Sequence, residues 1–293
     1  IERWLDIFAN QITDCRAEQT NLIFLGGEPT LHPDLAQAVK SAREKGFKSI
    51  TIDTNGYLFH NILDKVTPED VDVISFSLDG ATRETNDAIR GDGCWDAVMN
   101  GIEKAAAKGF ACSMIYTVSE KNIHELERMP DLVKQLDISR FFIQVVGIRG
   151  ETKDTEARDA RHQVSKDTWL TVIPKVAEQI ARNGTTVIYP KVFLQPDETF
   201  ECAARVARNY FVFPNGRVYQ CPVCEDFPLH SYEIKDGALV PTPQINETDL
   251  FGLDIPEGCV MNKMIQPGNL AYDSTGTPCH KIACCLLKEE ITP

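Results

Sequence analysis

Residues 21–29 read NLIFLGGEP, a short apolar run that ends at two glycines. Such a run, bounded by turn residues, predicts a buried strand. Beyond it, Pro33 suits the first turn of a helix, and apolar residues recur at helical spacing as far as Gly46. A second strand is predicted over Ser49–Asp53. The segment therefore opens a strand–helix–strand unit.

The same alternation extends in both directions. Amphipathic spacing predicts that the chain begins inside a helix over residues 1–12. Further strands are predicted over residues 71–78, 111–118, 140–147 and 185–189. Further helices are predicted over residues 95–108, 123–135 and 167–182, the last of them after a charged loop at 149–166. Strands that alternate with such helices form βαβ units, so the sequence predicts an α/β fold with a parallel sheet.

The last third of the chain has a different character. Short strand-like runs at 210–214 and 218–220 flank Asn215-Gly216, which is a hairpin signal. The remainder is irregular and rich in Cys, Pro and Gly. We therefore predict two domains, one over residues 1–192 and a small irregular, cysteine-rich one over residues 193–293.

Composition excludes several classes of protein. The 293 residues include 30 Lys and Arg against 43 Asp and Glu, a net charge of −13. Such a charge repels phosphate backbones and argues against nucleic-acid binding. No stretch approaches the ~18 uncharged apolar residues of a membrane helix, and the first residues lack the order of a signal peptide. The sequence predicts a cytoplasmic protein that binds neither nucleic acid nor membranes.

Polar and glycine residues follow several predicted strands. In parallel α/β sheets, ligands bind beyond the carboxyl ends of the strands. The Gly26-Gly27 pair allows close approach to the backbone, and Glu28 offers a carboxylate to an ammonium group. Ser77 and Asp79 end a later strand, and the Arg90 guanidinium follows within reach of a ligand carboxylate. Together they indicate a site for an amino-acid moiety, although separately they also suit a tight turn and a solvated surface.

Cysteine is unusually frequent and unevenly placed. Seven of the ten cysteines lie after residue 200, whereas Cys15, Cys94 and Cys112 are scattered. Because the cytosol keeps thiols reduced, such a cluster points to a metal or to catalysis before disulfides. The three scattered cysteines are interpreted as small core residues.

Three linked motifs carry a family resemblance. They are FLGGEPTLHP at 24–33, TNG at 54–56, and FSLDG at 76–80 followed by IRG at 89–91. In this order they resemble the radical S-adenosylmethionine (radical SAM) enzymes, over roughly residues 1–189. The resemblance implies a partial (β/α)6 TIM-like barrel and an oxidoreductase in which a [4Fe-4S] cluster cleaves S-adenosylmethionine to a 5′-deoxyadenosyl radical.

The same resemblance assigns cofactor-binding roles. Gly26, Gly27 and Glu28 would hold the methionine amino group, and Ser77 and Arg90 its carboxylate or the ribose. The remaining implied contacts are Val146 and Gly147 near the adenine, with Thr54 and Asn55 beside the same site.

One signature of the family is missing. The C-x3-C-x2-C motif that binds its cluster occurs nowhere in these 293 residues. We expect the first strand and the cluster loop to be encoded upstream of Ile1, so that the [4Fe-4S] cluster is bound there. No catalytic residue is assigned within this chain, and we expect this chain alone to be inactive although the intact protein is an enzyme.

The cysteine-rich tail resembles a second family module. Cys202, Gly216 and Cys221 reproduce the C-x9-15-G-x4-C opening of the auxiliary-cluster domain called SPASM or twitch, and Cys224 adds a C-x2-C pair. The module's second half is not matched, because Cys259 stands isolated and Cys279 is followed by Cys284-Cys285. We expect at least one auxiliary [4Fe-4S] cluster, with ligands chosen from Cys202, Cys221, Cys224, Cys279, Cys284 and Cys285. A structural zinc site is the alternative, with His280 as a further candidate ligand.

Relatives with such tails mostly modify peptides or proteins. The resemblance therefore implies hydrogen abstraction from a peptide or protein, with electrons from a donor such as flavodoxin or ferredoxin. Two alternatives stay open: a radical enzyme acting on a small molecule such as a sugar or cofactor precursor, and a non-catalytic zinc-binding module on a degenerate barrel.

Overall fold

The computed structural model of the chain describes residues 1–10, 16–148, 162–195 and 197–293. The end of the predicted opening helix, Cys15 and most of the predicted charged loop lie outside the described residues. The chain forms two compact units, which are described separately. The first contains Ile1–Gln144, Val172–Ile188 and Glu290–Pro293, and the second contains Val145–Thr171 and Tyr189–Glu289. Residues 145–171 thus group with the cysteine-rich part, whereas the sequence-based division placed them before the boundary at 192.

The strands, in chain order, are β1 (Asn21–Phe24), β2 (Ser49–Thr54), β3 (Val73–Ser77), β4 (Cys112–Val118), β5 (Arg140–Val145), β6 (Thr186–Pro190), β7 (Phe193–Leu194), β8 (Phe211–Val212), β9 (Arg217–Tyr219), β10 (Tyr232–Lys235), β11 (Ala238–Pro241), β12 (Lys281–Ile282) and β13 (Lys288–Ile291). The helices are α1 (Glu2–Asn10), α2 (Leu35–Glu44), α3 (Ile62–Lys65), α4 (Arg83–Arg90), α5 (Cys94–Ala107), α6 (Met129–Gln135), α7 (Lys166–Arg182), α8 (Ala203–Val206), α9 (Thr248–Phe251) and α10 (Val260–Ile265). Short 3-10 helices lie at Ala17–Gln19, Pro29–Leu31, Phe59–Asn61, Ile123–Arg128, Pro222–Asp226 and Pro267–Asn269.

A curled seven-stranded sheet forms the centre of the first unit. Its strand order is β1-β2-β3-β4-β5-β6-β13, so the first six strands are neighbours in chain order. Strands β1 to β4 pair in parallel, as do β5 and β6. Parallel neighbours require a crossover, and helices provide it between these strands. The predicted α/β fold with a partial (β/α)6 barrel is confirmed.

The two faces of this sheet differ because side chains alternate along each strand. Ile50, Ile52, Ile74 and Phe76 are all fully buried. A Cβ placed on Gly101 of α5 would lie 2.8 Å from the Phe76 ring. The face that carries these apolar residues is therefore the one that the helices cover.

Three predicted elements differ from the structure. Strand β1 is an edge strand rather than a buried one, and Ile23 is 49% and Leu25 58% exposed. Helix α2 begins at Leu35, because Pro29–Leu31 first forms a separate 3-10 turn. The predicted helix over 123–135 is a 3-10 helix followed by α6, where Pro130 lies in the first turn. A proline has no N–H for the preceding turn, so it suits the start of a new helix.

Helix α4 was absent from the sequence-based prediction. It begins after Thr82, whose Oγ1 accepts a hydrogen bond from the Thr85 amide. Helix α4 follows shortly after β3, and only Ala88 and Ile89 among its eight residues are apolar, which is too few to reveal a helical spacing of apolar residues.

Short antiparallel elements build the second unit. Its four-stranded sheet has the order β11-β10-β9-β8, and β7 pairs with β12. The predicted hairpin at Asn215-Gly216 joins β8 and β9, and Gly216 has a φ of +83°. This left-handed conformation favours glycine, which explains its place in the turn.

We predict that Gly101→Ala destabilises the first unit by about 1–3 kcal/mol through overpacking. A Cβ at this position would lie 2.8 Å from both the Gly56 carbonyl oxygen and the Phe76 ring. In an unobstructed helix the same change would stabilise by roughly 1 kcal/mol, so the sign of the effect is diagnostic. Urea denaturation measures it, with the exposed neighbour Asn100→Ala as the control. A Gly101→Ala variant as stable as the control would contradict the close packing.

Candidate functional site

The first group of site residues lies where β1 and β2 end. The Glu28 carboxylate accepts hydrogen bonds from the Asn55 amide at 2.7 Å, from Thr54 Oγ1 at 2.9 Å and from the Thr30 amide at 3.0 Å. The Thr30 hydroxyl donates to the same carboxylate. A carboxylate offers about four acceptor positions, so these donors use most of them. In this structure Glu28 ties the end of β1 to that of β2, and its capacity to receive a ligand ammonium is small.

The glycines before Glu28 leave open space. Gly26 and Gly27 are both exposed, and a Cβ on either would meet no atom within 4 Å among the described residues. Gly26 also has a φ of +151°, a conformation that side chains rarely adopt. A ligand can therefore approach this turn without displacing protein atoms.

A second group lies at the end of β3. Asp79 is 5% exposed, and its Oδ1 accepts a hydrogen bond from the Thr117 amide at 2.7 Å. The Arg90 Nε lies 2.8 Å from Asp79 Oδ2. Burial raises the pKa of Asp79, and the Arg90 charge opposes this shift. The Arg90 side chain remains 25% exposed and has further N–H donors beyond Nε, so Asp79 anchors it while it can still donate to a ligand. Ser77, the last residue of β3, is half-buried.

Val146 and Gly147 belong to the second unit. A Cβ on Gly147 would lie 3.0 Å from Ile265 Cδ1, and the next residue, Ile148, donates its amide to the Ile265 carbonyl at 2.8 Å. The Gln163 side chain donates to the same carbonyl at 2.9 Å. These contacts hold the segment that follows β5 against the end of α10.

Thiols from distant parts of the chain meet in the core of the second unit. A cavity of about 20 Å³ is lined by five of them and by apolar side chains that include Phe200, Leu250 and Met261. The lining thiols are those of Cys202, Cys221, Cys259, Cys284 and Cys285. Cys224 is fully buried in the same cluster, and a hydrogen bond between its thiol and that of Cys221 is the largest cause that raises its pKa.

The cluster differs from the set taken from the sequence at two positions. Cys279 is exposed, does not line the cavity, and pairs its amide with the Ala271 carbonyl at 2.8 Å. Cys259, which the spacing scheme set aside, lies in the cluster and precedes α10. No spacing rule reveals this placement, because it results from pairing between β12 and the segment before α10. In this pairing the Cys259 amide donates to the Ile282 carbonyl at 3.0 Å. The His280 ring donates its Nε2–H to the Asn269 carbonyl at 2.7 Å and packs edge-on against Phe193, which is a core arrangement.

The thiols have unequal acidity. A hydrogen bond with Cys285 is the largest cause that lowers the pKa of Cys284 to about 6. Burial raises the pKa of Cys259 to about 12 and also raises that of Cys202. A metal ion or cluster would supply the positive charge that keeps all of them deprotonated.

The buried carboxylate of Glu247 holds the backbone that carries one of the clustered thiols. Glu247 is 0% exposed and accepts hydrogen bonds from the amides of Gln220 at 2.7 Å and Cys221 at 3.1 Å. Ser231 donates to it through its amide at 3.2 Å and through its hydroxyl. Glu247 therefore fixes the backbone that carries Cys221, a role the sequence did not indicate.

The donor chemistry of this cluster fits a soft metal. Thiolates suit zinc and iron–sulfur clusters, and apolar walls exclude water from the site. Within the described ranges, no three Cys, His, Asp or Glu side chains converge at the distances of a bound metal ion.

The other described cysteines lie apart from this cluster. Cys94 donates its thiol to the Arg90 carbonyl at 3.1 Å. Burial raises the pKa of Cys112 to about 11. Cys15 lies outside the described residues.

A membrane-spanning helix is not found in the part of the chain that the structure describes.

Comparison with known proteins identifies relatives of the first unit. The Radical SAM superfamily matches residues 2–133. The Fe-coproporphyrin III synthase of Methanosarcina barkeri is 33% identical over 150 residues, which cover 49% of this chain and 37% of that protein. The mycofactocin maturase MftC of Mycobacterium tuberculosis is 27% identical over 232 residues, which cover 73% of this chain and 54% of that protein. The chain thus spans about half or less of the length of these relatives.

A solved structure extends the likeness in fold. Streptococcus suis SuiB, in the form bound to its precursor peptide SuiA, matches with a TM-score of 0.59 at 14% identity, over 75% of this chain and 52% of that one. At this identity the match speaks for the fold alone. Proteins of the matched superfamily use S-adenosylmethionine and a [4Fe-4S] cluster, as the three linked motifs imply. The radical SAM superfamily is therefore the family to which this chain is similar, through a match over residues 2–133 that spans just under half of its length.

Proposed function

We propose that the protein is a radical enzyme that cleaves S-adenosylmethionine reductively and abstracts hydrogen from a peptide or protein substrate. The open turn at Gly26 and Gly27 carries the proposal, because it offers unobstructed backbone at the carboxyl edge of a radical SAM sheet. When bound, the cofactor and its [4Fe-4S] cluster supply the 5′-deoxyadenosyl radical. The reducing electron would come from a donor such as flavodoxin or ferredoxin.

The chain's own residues would bind and orient the cofactor. Gly26 and Gly27 would give backbone contacts to the methionine amino group, while Glu28 shapes the turn by holding Thr54 and Asn55. Arg90, anchored on Asp79, would donate to the methionine carboxylate or the ribose, with Ser77 beside it. We keep Val146 and Gly147 as the residues proposed to lie near the adenine.

The substrate class is supported by two kinds of relative. SuiB is known in complex with its precursor peptide, and MftC is a maturase. The Fe-coproporphyrin III synthase supports the second candidate, a small-molecule substrate. The net charge of −13 favours a basic peptide over an acidic one. We therefore place the peptide first.

The second unit is proposed to hold an auxiliary [4Fe-4S] cluster. Cys202, Cys221, Cys259 and one thiol of the Cys284–Cys285 pair line one cavity and provide the four thiolates that a cubane cluster requires. Cys224, which lies in the same core cluster, is a further candidate ligand. Cys279, which the sequence offered as a candidate ligand, is left out of the proposed ligands because it is exposed and does not line the cavity. A zinc site on the same thiols is the alternative.

We predict that Arg90→Ala raises the S-adenosylmethionine concentration required for half-maximal 5′-deoxyadenosine formation by about tenfold, through loss of a charge-assisted contact. The assay uses the complete gene product with dithionite as reductant, and iron content is measured in parallel. Arg83→Ala is the matched control, because Arg83 lies on the same helix in an exposed ion pair with Asp96. Loss of iron in Arg90→Ala would show that the residue is structural instead.

We also predict that this chain by itself forms no 5′-deoxyadenosine from S-adenosylmethionine and dithionite. The reason is that its sequence has no C-x3-C-x2-C motif to hold the cleaving cluster. Product analysis by liquid chromatography measures this directly. Formation of 5′-deoxyadenosine by these 293 residues would overturn the assignment of the cluster to residues outside them.

For the auxiliary site, we predict about four iron atoms per chain after anaerobic reconstitution with iron and sulfide, the content of one cubane cluster. Cys259→Ser should lose most of this iron and its absorbance near 400 nm, whereas the control Cys279→Ser should keep both. Zinc without iron in the purified chain supports the zinc alternative. Iron loss in Cys279→Ser alone would contradict the proposed ligand set.

A further inference from the structure

A row of polar side chains crosses three central strands of the first unit. Asp53 of β2 is the register partner of Ser75 on β3, and Ser75 is the partner of Ser113 on β4. Partners in neighbouring strands lie about 4.8 Å apart and point to the same face. The three side chains therefore form one continuous row.

This row lies on the face opposite the helices. Asp53 alternates with Ile52, and Ser75 alternates with Phe76, which contacts α5 near Gly101. Because successive side chains point to opposite faces, the polar row occupies the inner, concave side of the curled sheet. Asp53 is the penultimate residue of β2 and so lies near the carboxyl edge of the sheet, where ligands bind in this class of architecture.

The two serines of the row are buried, Asp53 is half-buried, and the row is incompletely paired. Ser75 and Ser113 are each 1% exposed, and the oxygen atoms of both hydroxyls lack a hydrogen bond of normal geometry within the described residues. Burial raises the pKa of Asp53 to about 6, with the nearby Ser75 hydroxyl opposing the shift. In the described part of the chain, no cation contributes to the pKa of Asp53.

Such an arrangement is costly unless a ligand completes it. Buried hydroxyls and carboxylates are normally hydrogen-bonded, and an unpaired buried carboxylate loses its hydration without compensation. Buried polar groups that lack a hydrogen-bond partner are expected at binding sites, where a ligand can supply the partner. The partner that the row lacks is a group with several N–H donors and a positive charge.

We propose that Asp53, Ser75 and Ser113 form a binding site for an organic cation, a guanidinium or ammonium group, on the inner face of the sheet. The carboxylate pairs with the charge, and the two hydroxyls accept the remaining N–H donors. The identification of this cation as part of the substrate, such as an arginine or lysine side chain of a peptide, rests on the proposed function. The binding of a cation at this site does not depend on the proposed function.

The test uses this chain alone, without S-adenosylmethionine or iron, so that failure of the radical chemistry cannot affect it. N-acetyl-arginine amide, N-acetyl-lysine amide and the neutral isostere N-acetyl-citrulline amide are titrated separately. Methyl NMR reports the contact, because Ile115 follows Ser113 on the same face whereas Ile74 lies on the helix face. The Ile115 methyl signal should shift with a cation and the Ile74 signal should not.

We expect Asp53→Asn to weaken cation binding at least about tenfold. Ser75→Ala and Ser113→Ala should weaken it less, by about threefold each. Asp64→Asn is the matched control, since it removes the same charge from an exposed position that pairs with Lys108. A stronger response to the arginine than to the lysine amide identifies the guanidinium as the preferred cation, and the reverse identifies the ammonium.

Three results would overturn the proposal: no response to either cation, an equal response to citrulline, or unchanged affinity in Asp53→Asn. Thermal unfolding supplies an independent measurement. If Asp53 serves a ligand, Asp53→Asn should raise the Tm at pH 7.5 by about 2–4 °C, because it removes an uncompensated charge. A lower Tm would assign Asp53 to the structure of the sheet.

Discussion

The alternation of side chains along the parallel strands is the constraint on which the first unit depends. One set of side chains, including Ile50, Ile52, Ile74 and Phe76, is fully buried beneath the helices. Each such side chain contributes roughly 1.5–3 kcal/mol through the hydrophobic effect. A shift of register by one residue would expose all of them, so the pairing is fixed. Because the register is fixed, the positions of the strand ends and of the inner polar row are fixed with it.

Buried and half-buried carboxylates differ in their partners in this molecule. Three glutamates accept hydrogen bonds from backbone amides and so hold the segments that carry those amides. The pairs are Glu28 with Asn55, Glu125 with Ala81, and Glu247 with Gln220. Asp79 combines such a bond with the charge of Arg90. Asp53 has neither kind of partner among the described residues, and burial raises its pKa. The contrast between these carboxylates and Asp53 is the reason why we propose a ligand-binding role for Asp53.

The second unit obtains its core in another way. Its strands contain two to four residues, and six thiols occupy part of a core that also includes Tyr219, Val223 and Met261. A small core of this kind gains stability when a metal or cluster joins its cysteines, because binding then adds to the free energy of folding. Glu247 fixes the Cys221 backbone through a hydrogen bond of 3.1 Å from the Cys221 amide.

The sequence determined most of the alternating strands and helices of the first unit, the glycine turn after β1 and the hairpin at Asn215-Gly216, because periodicity and turn chemistry are local properties. It also carried the motifs of the radical SAM superfamily, which lie in contiguous stretches. Only the tertiary structure showed that the Glu28 carboxylate accepts hydrogen bonds from Thr54 and Asn55. It also showed that Cys259 lies among the clustered thiols whereas Cys279 does not. The row formed by Asp53, Ser75 and Ser113 likewise follows from the pairing of the strands. These facts depend on contacts between residues far apart in the chain, and neither spacing nor composition records which distant segments meet.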